Sequence, residues 1–233
     1  MNILILGNAT DAHAAHIYNT LTQAGATVNY LDTSLFPKQL RISWQPEQQL
    51  GYLTLPTGEE LNIQDIHSVY WRNFSGVYIP EFKDSYQKKL AYNDSMSTLR
   101  TFMQACPAKW VNSWEAFQFH KEKPLQLNRA KQIGATIPAT LISNNPNQVI
   151  EFCQTYKKAI FKPVYGGAHT QFITEAHLEP QRLNLTLSLS PVTIQEYIPG
   201  TNIRTYAIAD SVYSAEIRSS SVDFREDLDA ELI

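Results

Sequence analysis

Lys162 stands inside a short apolar run over 159–164, whose β-forming residues Ile160, Phe161 and Val164 read as a buried strand. A lysine is almost never fully buried unless paired, so an anion is expected near its ammonium, either a carboxylate of the protein or a ligand phosphate. Gly166 and Gly167 follow at once, and a loop without side chains lets backbone N–H groups approach phosphate oxygens. The plainer reading is a half-exposed strand lysine beside an ordinary turn. A second strand over 192–198 ends at Pro199-Gly200, and its last residues, Gln195-Glu196-Tyr197-Ile198, set polar and apolar groups side by side. Far upstream, Arg72 follows another apolar strand over 66–71. Ligands collect at strand ends in open α/β sheets, so Arg72 is a candidate grip for a carboxylate or phosphate, against the commoner role of a surface ion pair.

The elements that must position these groups alternate as in an α/β protein. Asn2–Leu6 is continuously apolar and bounded by Gly7, as suits a central parallel strand. Thr10 or Asp11 can cap the next helix, with Ala14, Ile17, Tyr18 and Leu21 at helical spacing before Gly25, and Thr27–Leu31 completes a β-α-β unit. The G-x-G-x-x-G fingerprint is absent from the first turn, so Asp32 reads as a turn or cap residue rather than a ribose ligand. Runs 40–44 and 50–55 alternate like antiparallel arms, followed by the turn Pro56-Thr57-Gly58. A long amphipathic helix is expected over 81–106, with Phe82, Tyr86, Leu90, Tyr92, Met96, Leu99 and Met103 as its core stripe. Pro124 opens a helix carrying Leu127, Ala130 and Ile133 and stopped by Gly134, and Asn145-Pro146 opens another. Runs 203–209 and 212–218 alternate as a hairpin turned at Asp210-Ser211.

At 233 residues the chain is long enough for one large or two small domains, and its 43% hydrophobic and 18% charged content is that of an ordinary globule. A net charge of -3 leaves no broad basic footprint for nucleic acid, so any phosphate site must be local. Cys106 and Cys153 are isolated, without a metal or C-x-x-C spacing, which fits a reducing cytoplasm. No apolar run approaches the roughly 20 residues of a membrane span. The opening MNILILG lacks the charged n-region of a signal peptide and reads as the first strand of the fold.

The strand lysine, the glycine loop, and Gln195-Glu196-Tyr197-Ile198 followed by Pro199-Gly200 and Ile203-Arg204 together resemble the ATP-grasp ligases, specifically the RimK-type branch that includes the microviridin-type peptide maturases. The likeness covers most of the chain from about residue 112 onward. It implies an α/β chain with a Rossmann-like pre-ATP-grasp domain over 1–108, an ATP-grasp central α/β subdomain over 109–188, and the start of the C-terminal subdomain over 189–233. It implies that Lys162 reaches nucleotide phosphates, joined by Lys123 through its register with Gly134 and Pro138, with Lys121 as the alternative. Gly166 and Gly167 would cradle the phosphates, and Glu196, Tyr197 and Ile198 would form the hinge that reads adenine. Arg204, Arg218 and Arg225 resemble the family's arginine set, which neutralises phosphate charge or holds an acidic substrate. An element like Tyr70-Trp71-Arg72 also recurs in the maturases.

Two departures qualify the resemblance. Asn202 stands where the family has an acid for the ribose hydroxyls. The family's acidic pair and asparagine, which hold magnesium, would lie beyond Ile233, so the C-terminal part of the fold is expected to be incomplete and no metal ligand is assigned within the chain. Asp223, Glu226, Asp227, Asp229 and Glu231 lack a metal-site spacing and read as a solvated helix. The activity implied is ATP-dependent carboxylate activation with Mg2+: an acyl phosphate is attacked by an amine or hydroxyl, on a peptide, protein or amino-acid substrate. The alternative is a non-catalytic nucleotide- or peptide-binding module of the same fold. Nucleic-acid and membrane partners are not expected, and a homo-oligomer is allowed.

Overall fold

A computed structural model of the chain describes residues 1–165 and 168–233. Strand β1 (Asn2–Leu6) leads through helix α1 (Ala12–Gln23) to β2 (Thr27–Leu31), and the two strands pair in parallel. Asp11 caps α1 by accepting from the Ala14 N–H at 2.8 Å, and Asp32 is likewise a cap, accepting from the Ser34 N–H. β3 (Arg41–Gln45), β4 (Leu50–Thr54) and β5 (Glu60–Asn62) form a separate antiparallel sheet before β6 (Ser68–Trp71) returns beside β1. Helix α2 (Ser85–Ala105), β7 (Lys109–Val111) and α3 (Trp114–Lys121) follow, giving a parallel sheet of order β2-β1-β6-β7.

The alternation of β1 explains its central place. Leu4 and Leu6 turn to one face, into a core with Leu31, Val69, Leu99 and Phe102, while Ile5 turns to the other, against Ala14 and Val28. Gly51 has a steric reason in the small sheet: a Cβ there would sit 2.6 Å from the Trp44 ring.

Helix α2 departs from its expected stripe. It begins at Ser85, capped by Asp84, and only its second half is core: Met96, Leu99, Phe102 and Met103 are buried, whereas Phe82, Tyr86, Leu90 and Tyr92 are exposed. Length explains the difference. A helix of 21 residues is about 31 Å long, whereas the five-residue β1 spans about 17 Å. The periodicity continues beyond the sheet that could cover it.

The chain divides into compact units at Met1–Gln118 and Phe119–Ile233. The division falls later than residue 108 because β7 pairs in parallel with β6 and so completes the first sheet. In the second unit, α4 (Lys123–Gln132), β8 (Thr140–Ser143), α5 (Pro146–Thr155), β9 (Ala159–Lys162), β10 (Gln171–Phe172), α6 (Pro180–Leu189) and β11 (Val192–Glu196) build an antiparallel sheet of order β10-β9-β11-β8. Val149 of α5 and Leu183 and Leu187 of α6 pack against Phe161 and Ile194 on one face of that sheet. Because β11 lies between β9 and β8, no break follows residue 188. The next sheet begins only at β12 (Asn202–Ile208), which pairs with β13 (Ser211–Arg218) and through it with β14 (Glu231–Leu232). Its hairpin turns at Ala209-Asp210, one residue earlier than expected, with Ala209 at φ 51°. Among the described residues no helix is long and apolar enough to cross a membrane.

The two halves of α2 should respond differently to truncation. Leu99→Ala should destabilise the first unit by about 2–5 kcal/mol, the range for a buried leucine, while Tyr86→Ala should stay within about 0.5 kcal/mol of wild type. Denaturant unfolding followed by tryptophan fluorescence checks this, since Trp44, Trp71, Trp110 and Trp114 all lie in that unit. Equal losses would place the first half of α2 in the core.

Candidate functional site

The site is built on the face of the second sheet that α5 and α6 leave uncovered. Antiparallel register sets Lys162 opposite Thr193, Phe161 opposite Ile194 and Ile160 opposite Gln195. Phe161 and Ile194 join the helices, so Ile160, Lys162, Thr193 and Gln195 share the other face. The Lys162 ammonium donates to Gln195 Oε1 at 3.1 Å, and Gln195 Nε2 donates to Thr140 Oγ1 at 2.7 Å. Thr140 in turn donates to the Pro138 carbonyl at 2.9 Å. The partner of the half-buried strand lysine is therefore a neutral amide, and among the described residues no carboxylate lies within ion-pair distance of it.

Lys162 opens into a cavity of about 410 Å³ shared with Lys123, Thr170, Thr193 and Arg225, with Leu127 and Ala130 of α4 forming an apolar wall. Ile133, the next residue of the expected apolar face of that helix, is exposed instead. Burial first, and then the charge of Lys123, lowers the pKa of Lys162; burial and Lys121 do the same to Lys123. Two ammonium groups thus face one cavity and repel each other. Lys121 places its own ammonium 4.9 Å from the Tyr165 ring centroid, so the geometry brings Lys123 rather than Lys121 to the cavity. Gly166 and Gly167 lie outside the described residues.

The arginines are not brought together. Arg225 grips the buried Asp223 with two nitrogens, Nε to Oδ1 at 2.7 Å and Nη2 to Oδ2, and Asp223 also accepts the Thr170 N–H at 3.0 Å. That guanidinium holds the Asp223 carboxyl far below the usual carboxylate range. Arg204 donates to the Tyr206 hydroxyl at 3.1 Å, and Arg218 pairs with Glu216 at 3.0 Å. Arg204 faces the same side as its partner Ala215, so Arg218, three residues on, faces the other. Only Arg225 reaches the lysine cavity. The acidic run is not a helix: a single 3-10 turn covers Phe224–Glu226, Asp223 is buried, and Asp227 accepts from Ser219 Oγ and the Ser220 N–H. His169 is exposed, with Nδ1 3.7 Å from Asp223 and 3.6 Å from Glu226.

A second cavity of about 600 Å³ is lined by Glu196, Tyr197, Ile198 and Asn202 together with Ile160 and Lys158. Glu196 Oε1 accepts the Ala139 N–H at 2.7 Å, and the Tyr197 N–H donates to the Lys158 carbonyl at 3.0 Å. Lys158 places its ammonium 4.2 Å from the Tyr197 ring centroid and 5.0 Å from that of Phe172. In the first unit Arg72 is engaged with Asp11 at 2.8 Å, the residue that also caps α1. Gln195, Thr193 and Lys158 are polar residues of these cavities that sequence reasoning left without a role. Two-residue spacing from Lys162 back to Ile160 and Lys158 was the one signal for Lys158; the others needed strand register.

A family model described as the MvdD pre-ATP grasp domain matches residues 2–118. No curated protein matches the chain. Among solved structures, the macrocyclase MdnC bound with precursor peptide MdnA from Microcystis aeruginosa MRC is 23% identical, with a TM-score of 0.84 over 94% of this chain and 76% of that one. The ATP-grasp ligase PsnB complexed with minimal precursor, Mg and ADP is 26% identical, with a TM-score of 0.80 over 99% of this chain and 75% of that one. A Chryseobacterium gregarium RiPP-associated ATP-grasp ligase in complex with ADP and a leader and core peptide is 24% identical, with a TM-score of 0.80 over 93% of this chain and 68% of that one. With the first unit matched by its family model and both units carrying the fold of these enzymes, the chain belongs to the ATP-grasp ligases, with an MvdD pre-ATP grasp domain at residues 2–118.

Proposed function

We propose that the chain binds ATP across the two cavities of its second unit and uses it to activate a carboxylate of a peptide as an acyl phosphate, for attack by an amine or hydroxyl. The observation that carries this reading is the pair Lys162 and Lys123, two half-buried ammonium groups in one cavity, with the neutral amide of Gln195 as the hydrogen-bond partner of Lys162 among the described residues. A polyanion relieves their repulsion, and developing charge on a transferring phosphoryl group is what such preorganised cations stabilise. Gln195 orients Lys162 without neutralising it. The hinge residues Glu196, Tyr197 and Ile198 would hold the base, Asn202 the ribose hydroxyls, and Arg225, released from Asp223, would add a third cation. Arg72 would hold a substrate carboxylate in exchange for Asp11. A peptide substrate is supported by the precursor peptides in MdnC and PsnB.

Magnesium does not fit the described residues. Among them no group of three His, Cys, Asp or Glu side chains is placed to hold a metal ion, and Asp223 and Asp227 have oxygens engaged by protein donors. A binding module without turnover is the other reading, and ADP release from ATP, measured with magnesium and a candidate peptide, separates the two.

Lys162→Ala should weaken ATP by about 1.5–3 kcal/mol, the range for a hydrogen bond to a charged group, in calorimetric titration with magnesium present; unchanged affinity would remove the phosphate role. Asn202→Asp should tighten ATP while leaving inorganic triphosphate as it was, because only the nucleoside gains a charged acceptor. A gain for both ligands, or neither, would put Asn202 outside the ribose site. The affinity should also depend on pH. Burial and Lys123 hold the free Lys162 ammonium below the usual lysine value of 10.5, whereas bound phosphate favours the charged form. ATP affinity should therefore fall as pH rises through that lowered free value, and Lys162→Arg should carry it to higher pH; identical pH profiles would exclude Lys162 as the titrating group.

A further inference from the structure

Strand β2 ends the parallel sheet, and among the described residues no strand pairs with its outer edge. The Thr27 N–H donates to the Met1 carbonyl and the Gly7 N–H donates to the Leu31 carbonyl, so Thr27, Asn29 and Leu31 turn their backbone groups toward β1. Backbone groups alternate sides along a strand, which turns the N–H and C=O of Val28 and Tyr30 outward. Among the described residues no other group bonds them. Edges of this kind are commonly blunted by charge or proline, and Thr27–Leu31 holds neither. A cavity of about 230 Å³ runs along residues 28–30 instead.

The two sides of that cavity differ in chemistry. Leu35, Leu40 and Leu55 line it from the core that contains Leu31. Tyr18 and Tyr30 line it from the opposite face of the sheet, with ring centroids 5.0 Å apart and planes at 10°. Asp32 continues the extended backbone of β2, at φ -83° and ψ 100°, and so falls on the tyrosine side. Its Oδ1 accepts from the Ser34 N–H and hydroxyl, and its Oδ2 has no partner among the described residues. A strand added to this edge alternates its own side chains in the same way. One set meets the leucines, and the other meets two aromatic rings and a carboxylate, which favour a cation. β2 itself holds no Lys or Arg, so a second copy of the strand supplies no partner for Asp32.

We propose that the outer edge of β2 docks an extended peptide segment of alternating apolar and basic residues, which adds to the parallel sheet through Val28 and Tyr30 and sets a lysine or arginine against Asp32 and the two tyrosines. This surface lies within the first unit, so the proposal stands apart from the nucleotide reading of the second.

The test titrates the whole chain with the blocked peptide acetyl-Leu-Lys-Leu-Lys-Leu-amide and with its counterpart carrying Glu in place of Lys, by calorimetry and by amide hydrogen exchange followed with NMR. The lysine peptide should bind with a Kd of about 1 mM or tighter, and the glutamate peptide about tenfold more weakly. Asp32→Asn keeps an acceptor for Ser34 and should weaken the lysine peptide about two- to fivefold, as for an exposed ion pair. At about ten times its Kd the lysine peptide should slow exchange at the Val28 and Tyr30 amides about tenfold, while those of Asn29 and Leu31, which face β1, stay as they were. Binding without that protection, equal binding of the two peptides, an Asp32→Asn chain that binds like wild type, or no binding by wild type would each overturn the proposal. Protection that rises with protein concentration in the absence of peptide would give the edge to a second copy and overturn it as well. None of these results touches the nucleotide reading, which the ATP titration tests by itself.

Discussion

The antiparallel register of β9 against β11 is the constraint on which the rest of the second unit depends. It pairs Phe161 with Ile194 and Lys162 with Thr193, so two short strands of mixed character become one apolar face and one polar face. The apolar face closes on Val149, Leu183 and Leu187. A slip of one residue would turn Lys162 toward those helices and Phe161 toward the cavity, at the combined cost of a buried charge and a lost core contact. The packing of the helices thus fixes where the lysine points.

Two kinds of cation face the resulting cavity, and their partners differ. Arg225 is held by a buried carboxylate that cancels much of its charge, and the same carboxylate ties down the backbone at Thr170. Lys162 is held by the amide of Gln195, which directs the ammonium and leaves its charge intact. Lys123, at the first turn of α4, adds a like charge across the cavity. The positive field of this cavity therefore comes chiefly from the lysines, and a carboxylate in place of Gln195 would quench it.

The first unit has a different logic. Its parallel sheet is buried on both faces because β1 is apolar at every position from Ile3 to Leu6, and α1 and the second half of α2 cover it. Arg72 leaves that sheet at the end of β6 and is drawn to Asp11, whose carboxylate serves the arginine and the N-terminus of α1 together. One side chain thereby couples the end of a strand to the start of a helix.

Much of this was legible in the residues. Continuous apolarity marked β1, Asp11 and Gly25 marked the ends of α1, Pro124 and Gly134 marked those of α4, and the motif order from Lys162 to Arg204 carried the family likeness, because each of these signals is local in the chain. The burial of α2 was not legible: its periodicity runs on past Tyr86 and Leu90, and only the width of the sheet decides where burial ends. Nor were the unit boundaries, since β7 and β11 are placed by partners far away in sequence. The sequence by itself determined which elements form and that a lysine needing a partner sits in a strand. The tertiary structure decided that the partner is Gln195, that Arg204 and Arg218 face opposite sides, and that Asp223 is buried against Arg225, because hydrogen bonds and faces depend on register between distant strands, and register is not written in any one of them.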